Sequence, residues 1–254
     1  MNYYIFDGSY YGYLTAFFNM YEAKEFAAIP ILEKDLSHEL FINKTTIETD
    51  PVKAERILKA LHKILGKNAT AQFFQSFLSE DRKAWLVNFR LLVQIFKGNH
   101  QLLKNYGNQD SLYFSDILKK VSRERHRMKA FIRFQKDDQD VYSAIIDPDF
   151  NVLPLITSFF QNRYADQQWI IFDVRRNYGY HYDLQKVHEI IPTIATEQNE
   201  ALTLPINLDV KEPFFQLLWK TYFQSTNIES RKNLKLHIQH VPKRYWKYLV
   251  EKQN

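Results

Sequence analysis

The spacing of apolar residues changes period part-way along this chain, and that change limits the fold more than any other feature. Up to about Arg127 the apolar stripes are helical. They comprise Tyr13, Leu14, Phe17, Phe18 and Tyr21, then Ile57, Leu58, Leu61, Ile64 and Leu65, then Trp85, Leu86, Phe89, Leu92, Val93 and Phe96. Residues three and four apart share one face of a 3.6-residue turn, so each stripe buries one side of a helix. Beyond that point apolar and polar residues alternate, and 130–134, 141–146, 169–173, 179–182 and 187–190 read as strands. The polar clusters 137–140 and 175–178 read as turns between hairpin partners. The expectation is an α+β fold. Its sheet is antiparallel or mixed, built largely from hairpins and packed with several amphipathic helices.

Local signals place the remaining elements. A strand is expected at 3–6, and Asp7-Gly8-Ser9 caps a helix over 10–26. A second strand is expected at 40–47. Thr49-Asp50-Pro51 opens the next helix, with a side-chain cap ahead of proline at the first helical position. Phe73, Phe74, Phe77 and Leu78 mark a further short helix, and 98–110 reads as a loop. Ser115 or Asp116 caps a helix running to about residue 127, a helix over 153–163 interrupts the strands, and Pro213 opens the last amphipathic helix. Segment 199–205 has linker character without forming a convincing break, so one domain is expected over 1–254, with a basic tail at about 229–254.

With 254 residues, 45% of them hydrophobic, and only six glycines and eight prolines, the chain can bury a substantial core and is not of low complexity. It contains no cysteine, which excludes disulfides, thiolate nucleophiles and cysteine-held zinc or iron–sulfur centres. The N-terminus lacks a charged leader, and no apolar run approaches a membrane span, so a cytoplasmic protein without membrane contact is expected.

Charge is strongly uneven. From Glu229 to Lys252 seven Lys or Arg face two Glu, and from Lys119 to Lys136 eight face only Glu124. The formal net charge is +5 for the whole chain, so everything outside these two blocks is acidic on balance. Such polarity favours an acidic partner. In the tail, Tyr245, Trp246 and Tyr248 interleave with the cations. This suits a polyanion with stackable faces, because cations neutralise phosphates while rings stack on bases. The competing reading is a solvated C-terminal helix with an aromatic anchor closing the core, and the two readings combine with Trp246 buried as the anchor while Arg231, Lys232, Lys243, Arg244 and Lys247 meet phosphates.

Glu124, His126, Asp166 and Asp173 are the candidates for catalysis, since carboxylates with a histidine can hold Mg²⁺ or Mn²⁺ or move protons at a phosphodiester. Glu124 and His126 stand two apart on an expected helix and do not share a face. His237 and His240 lack an evident third ligand. No Gly-rich phosphate loop, H-E-x-x-H or nucleophile elbow is present. No metal and no cofactor are expected.

Six segments resemble one family. They are Phe6-Asp7-Gly8-Ser9-Tyr10-Tyr11-Gly12, Glu48-Thr49-Asp50-Pro51, the run from Glu124 to Phe134, Arg163-Tyr164-Ala165-Asp166-Gln167-Gln168-Trp169, Asp173-Val174-Arg175-Arg176-Asn177-Tyr178-Gly179, and Arg231-Lys232-Asn233 through Pro242-Lys243-Arg244-Tyr245-Trp246-Lys247. They are similar to the signatures of a bacterial family without an assigned activity, labelled "probable DNA metabolism protein". Its members are encoded beside a radical-SAM protein, and longer relatives carry a fused uracil-DNA-glycosylase-like domain. The resemblance implies a stand-alone form without the glycosylase, whose short motifs are missing. It also implies a DNA-binding accessory factor in repair or base modification, with the radical-SAM protein and a glycosylase-like protein as partners. The residues expected to contact nucleic acid are Arg123, Arg125, Arg127, Lys129, Arg133, Arg175, Arg176, Arg231, Lys232, Lys235, Lys243, Arg244 and Lys247. Two alternatives stand beside this reading: a metal-dependent nucleic-acid-processing enzyme, and an interaction module that docks an acidic protein. The chain is expected to assist chemistry rather than perform it.

Overall fold

A computed structural model describes residues 2–36, 43–191, 209, 211–226 and 238–252. The expected linker at 199–205 and the first residues of the strand expected at 40–47 lie outside the described residues. Where the sequence suggests one domain, contacts group the chain into two compact units, Met1–Ser122 and Arg123–Asn254.

The first unit holds β1 (Asn2–Phe6), α1 (Tyr10–Glu22), β2 (Ile29–Leu32), β3 (Asn43–Thr46), α2 (Pro51–Phe77) and α3 (Arg82–Phe96). Its three strands lie in the order β2-β1-β3, and both pairings are parallel. This departs from the hairpin pattern. A helix of 13 residues stands between β1 and β2, so the chain crosses over before pairing, as a parallel neighbour requires. Ser9 and Asp50 cap their helices as expected, accepting hydrogen bonds from Gly12 N and from Val52 N and Lys53 N. The short helix expected around Phe73–Phe77 is the second limb of α2, which breaks at Gly66 (φ 79°, ψ 168°), a backbone shape that glycine adopts without steric cost. Phe6, Tyr13, Phe17, Phe77, Trp85 and Phe89 pack as edge-on and tilted rings, with Phe77 stacked on Trp85, and the Tyr13 hydroxyl donates to the Trp85 carbonyl at 2.8 Å.

α4 (Gln109–Phe131) is longer at both ends than the sequence suggests. Asn108 accepts from Ser111 N and starts the helix ahead of Ser115. At the other end Glu124, Met128 and Ile132 are all buried at a spacing of four, so the helical face overrides the alternation that reads as a strand at 130–134. The strand begins later, as β4 (Gln135–Lys136).

In the second unit β4, β5 (Tyr142–Ile146), β6 (Trp169–Asp173), β7 (Tyr178–Tyr182) and β8 (Val187–Ile190) lie side by side in chain order. The β4–β5 and β6–β7 pairs are antiparallel hairpins at the two expected turns, and the β7–β8 pair is antiparallel as well. β5 and β6 are parallel, joined through a turn of 3₁₀ helix at Leu153–Leu155 and through α5 (Thr157–Arg163). The sheet is therefore mixed, and with its amphipathic helices the protein is α+β. A Cβ at Gly179 would stand 2.6 Å from the Ile171 carbonyl, so the β6–β7 ladder closes there only over glycine. α6 (Glu212–Thr226) and two short 3₁₀ turns, Lys243–Tyr248 and Val250–Lys252, complete the described residues. No helix among them is long and apolar enough to cross a membrane.

Candidate functional site

The second unit carries two clusters of cationic side chains with opposite surroundings. The first is centred on Glu124, which is 2% exposed. Its carboxylate accepts hydrogen bonds from the Tyr245 hydroxyl, from Asp149 N at 2.9 Å and from Arg244 Nη2 at 3.5 Å, and Arg127 Nη1 lies 3.7 Å away. Arg244 also pairs with Asp149. Asp173, wholly buried at the end of β6, accepts from Arg175 N, Arg176 N and Arg176 Nη1 (3.0, 3.2 and 2.9 Å), and Arg176 reaches the Pro148 carbonyl as well. Asp147 takes Arg175 Nε at 2.8 Å and Lys247 Nζ at 3.1 Å.

The carboxyl chemistry follows from these contacts. Burial pushes the Asp173 carboxyl above its ordinary range, with Arg176 and its neighbouring backbone N–H groups pulling the other way. Burial also acts to raise Asp147, yet the hydrogen bonds from Lys247 and Arg175 outweigh it and hold that carboxyl below its ordinary range. Burial, then the bond to Glu124, keeps the Tyr245 phenol protonated well past its usual range, so it remains a donor to the carboxylate.

Five of the residues expected to contact nucleic acid, Arg127, Arg175, Arg176, Arg244 and Lys247, thus stand against the protein's own carboxylates. Arg133 does so too, with Glu251 at 2.8 Å, and Lys136 pairs with Asp140 and Asp209. In the tail, Tyr245 is the residue that anchors to the core, at 2% exposure; Trp246, which reads from sequence as the anchor, is half-buried and donates to the Val241 carbonyl. Lys243 is exposed, 5.9 Å from the centre of the Trp246 ring. Arg231, Lys232 and Lys235 lie outside the described residues.

The second cluster surrounds a cavity of about 660 Å³ between the end of α4, α5 and the first residues of β5 and β6. Phe160 and Trp169 are buried in its wall, while Phe134, Tyr142, Phe159 and Tyr164 are half-exposed. Phe160 and Tyr164 lie nearly parallel (11°, centroids 6.2 Å apart), and Phe134 meets both edge-on at 5.6 Å. Lys129 Nζ stands 4.6 Å from the centre of the Phe159 ring, and the Arg163 guanidinium 5.7 Å from that of Tyr164. Neither cation has a carboxylate partner among the described residues. The Trp169 indole N–H, closed off from solvent, has no acceptor among them either. On α4, Arg123 is exposed and Arg125 half-exposed, also without ion pairs among the described residues.

The structure does not assemble the four catalytic candidates. Glu124 and Asp173 are buried in ion pairs, whereas His126 on α4 and Asp166 in the turn after α5 are exposed and make no contact with them. Among the described residues no three His, Asp or Glu side chains gather as metal ligands. Sequence reasoning missed the aromatic cavity. Its signal was Phe159-Phe160 followed one turn later by Arg163-Tyr164, a pattern that on its own reads as a helix core. It also missed Asp147 and Asp149, the acceptors supplied by the Asp-Pro-Asp after β5.

The sequence profile of DUF4130, a domain of unknown function, matches residues 82–251. The chain belongs to this family. The matched span runs from the first residue of α3 and contains both cationic clusters, while the motifs at 6–12 and 48–51 precede it. It agrees with the family indicated by the central and C-terminal signatures. No curated protein matches the chain.

Proposed function

We propose that this DUF4130 protein binds nucleic acid, DNA in the first instance, and serves as an accessory factor in DNA repair or base modification. The observation that carries the reading is the contrast between cations. Arg123, Arg125, Lys129 and Arg163 have no carboxylate partner among the described residues, and two of them stand over aromatic rings at a cavity, whereas most of their neighbours are neutralised internally. Guanidinium and ammonium groups without carboxylate partners, beside half-exposed rings, match the chemistry of a phosphate backbone with stackable bases. In this reading the protein presents DNA to an enzyme, the radical-SAM or glycosylase-like partner that the family resemblance implies.

Titration of a labelled single-stranded oligonucleotide at several salt concentrations tests the reading. Four phosphate contacts give a slope of log K against log[salt] of roughly −3. Absence of binding at low salt to single-stranded, duplex and mismatched DNA alike refutes it.

A further inference from the structure

We infer that the cavity between α4, α5 and the first residues of β5 and β6 receives an unpaired nucleobase together with its phosphate; this rests on the nucleic-acid reading and makes it specific to a site. The argument begins with what the cavity offers. A volume of about 660 Å³ lies in the range, about 300–1,000 Å³, of sites that enclose a small molecule, so it accommodates one nucleotide unit rather than a length of duplex. Its half-exposed rings, Phe159 and Tyr164 above all, present faces of the kind on which bases stack without regard to sequence.

The polar groups are placed to match. Lys129 and Arg163 line the same cavity as the rings, and each stands over one of them, so a phosphate at the rim meets positive charge while its base lies against an aromatic face. Gln167 lines the cavity as well, and its side-chain amide has no hydrogen-bond partner among the described residues. A primary amide both donates and accepts, which suits the Watson–Crick edge of a base. An aliphatic ligand would use neither the cations nor the amide, and a simple anion would leave the rings unused. A base inside duplex has no free face to offer, so the site selects single strands, loops or extruded bases.

The test compares a nine-residue thymidine strand with a chain of equal length and charge built from abasic tetrahydrofuran units. Both are followed by fluorescence anisotropy. Base stacking of roughly 1–3 kcal/mol gives a preference of about 5- to 150-fold for the thymidine strand. Phe159→Ala and Tyr164→Ala are expected to cut that preference to below threefold, and Arg163→Gln to weaken both chains. Phe159→Leu keeps most of the apolar volume while removing the ring, so it replaces Phe159→Ala if that variant does not fold. Equal binding of the two chains by the unaltered protein overturns the base site and leaves phosphate binding standing. Undiminished preference in folded ring variants overturns it as well, since the base is then held elsewhere. Binding of neither chain removes this inference; the functional reading falls with it only when duplex and mismatched DNA fail to bind as well.

Discussion

The Glu124 cluster and the aromatic cavity draw on the same residue types, in the same unit, and put them to opposite use. Around Glu124, Asp147, Asp149 and Asp173 supply a carboxylate for nearly every guanidinium in reach. At the cavity, Arg133 still pairs with Glu251, but Lys129 and Arg163 stand over rings instead of carboxylates and keep their charge available. A basic residue therefore says little by its identity. The nearest acceptor decides whether its charge is spent on the fold or offered to a partner.

The largest expected effect falls on the closed cluster. Glu124→Ala leaves Arg127, Arg244 and the Tyr245 hydroxyl without their shared acceptor, and breaking a buried pair in this way costs about 3–5 kcal/mol. Denaturant unfolding of the variant measures it. A loss below about 1 kcal/mol erases the distinction drawn between the two clusters. Next in size, the double change Lys129→Gln with Arg163→Gln is expected to lower the salt slope on single strands by about 1.4, two phosphates at 0.7 each, while stability moves within about 0.5 kcal/mol. Arg176→Gln is expected to do the reverse, lowering stability with the slope intact; a change in slope there moves Arg176 to the ligand side.

The smallest effect is acid sensitivity. Asp147 titrates below its ordinary value of 3.8 in the folded chain, so its contribution is present above that value and is lost as pH falls through the folded one. Asp173 has the opposite sign. Its folded value is raised, so stability declines as pH rises through that value and recovers on acidification. Asp147→Asn is expected to flatten the acid limb of a stability profile below pH 4 by at most about 1 kcal/mol, because its partners Arg175 and Lys247 are largely exposed. An unchanged acid limb shows that this pair is not where charge is used for stability.

The sequence carried the second unit well, because turn residues bound β6 and β8, whose expected and observed spans coincide. It misread 130–134, where the apolar residues satisfy a period of two and a period near four at once; burial of Met128 and Ile132 beside Glu124 decides for the helix. The parallel pairing of β1 with β2 and β3 was not legible, because strand direction depends on where a crossover returns the chain rather than on the strand residues themselves. The choice of Trp246 over Tyr245 failed for a similar reason: indole size favours burial, but a phenol that reaches Glu124 gains an acceptor, which no stripe of apolar residues reveals. The candidate site was half legible. Lys129 was named on its charge, while its ring Phe159 was hidden in a helix that looked like ordinary packing.

The span matched by the family profile and the segment that packs α3 do not share an edge. The family match opens at Arg82, yet Trp85 and Phe89 of α3 rest their rings on Phe6, Tyr13, Phe17 and Phe77, all encoded earlier in the chain. A gene fragment trimmed to the matched span would strip one side of α3 and leave a sticky aromatic surface that invites self-association. Within the first unit α3 therefore depends on residues that precede the matched span, and expression work on this protein is best begun with them included.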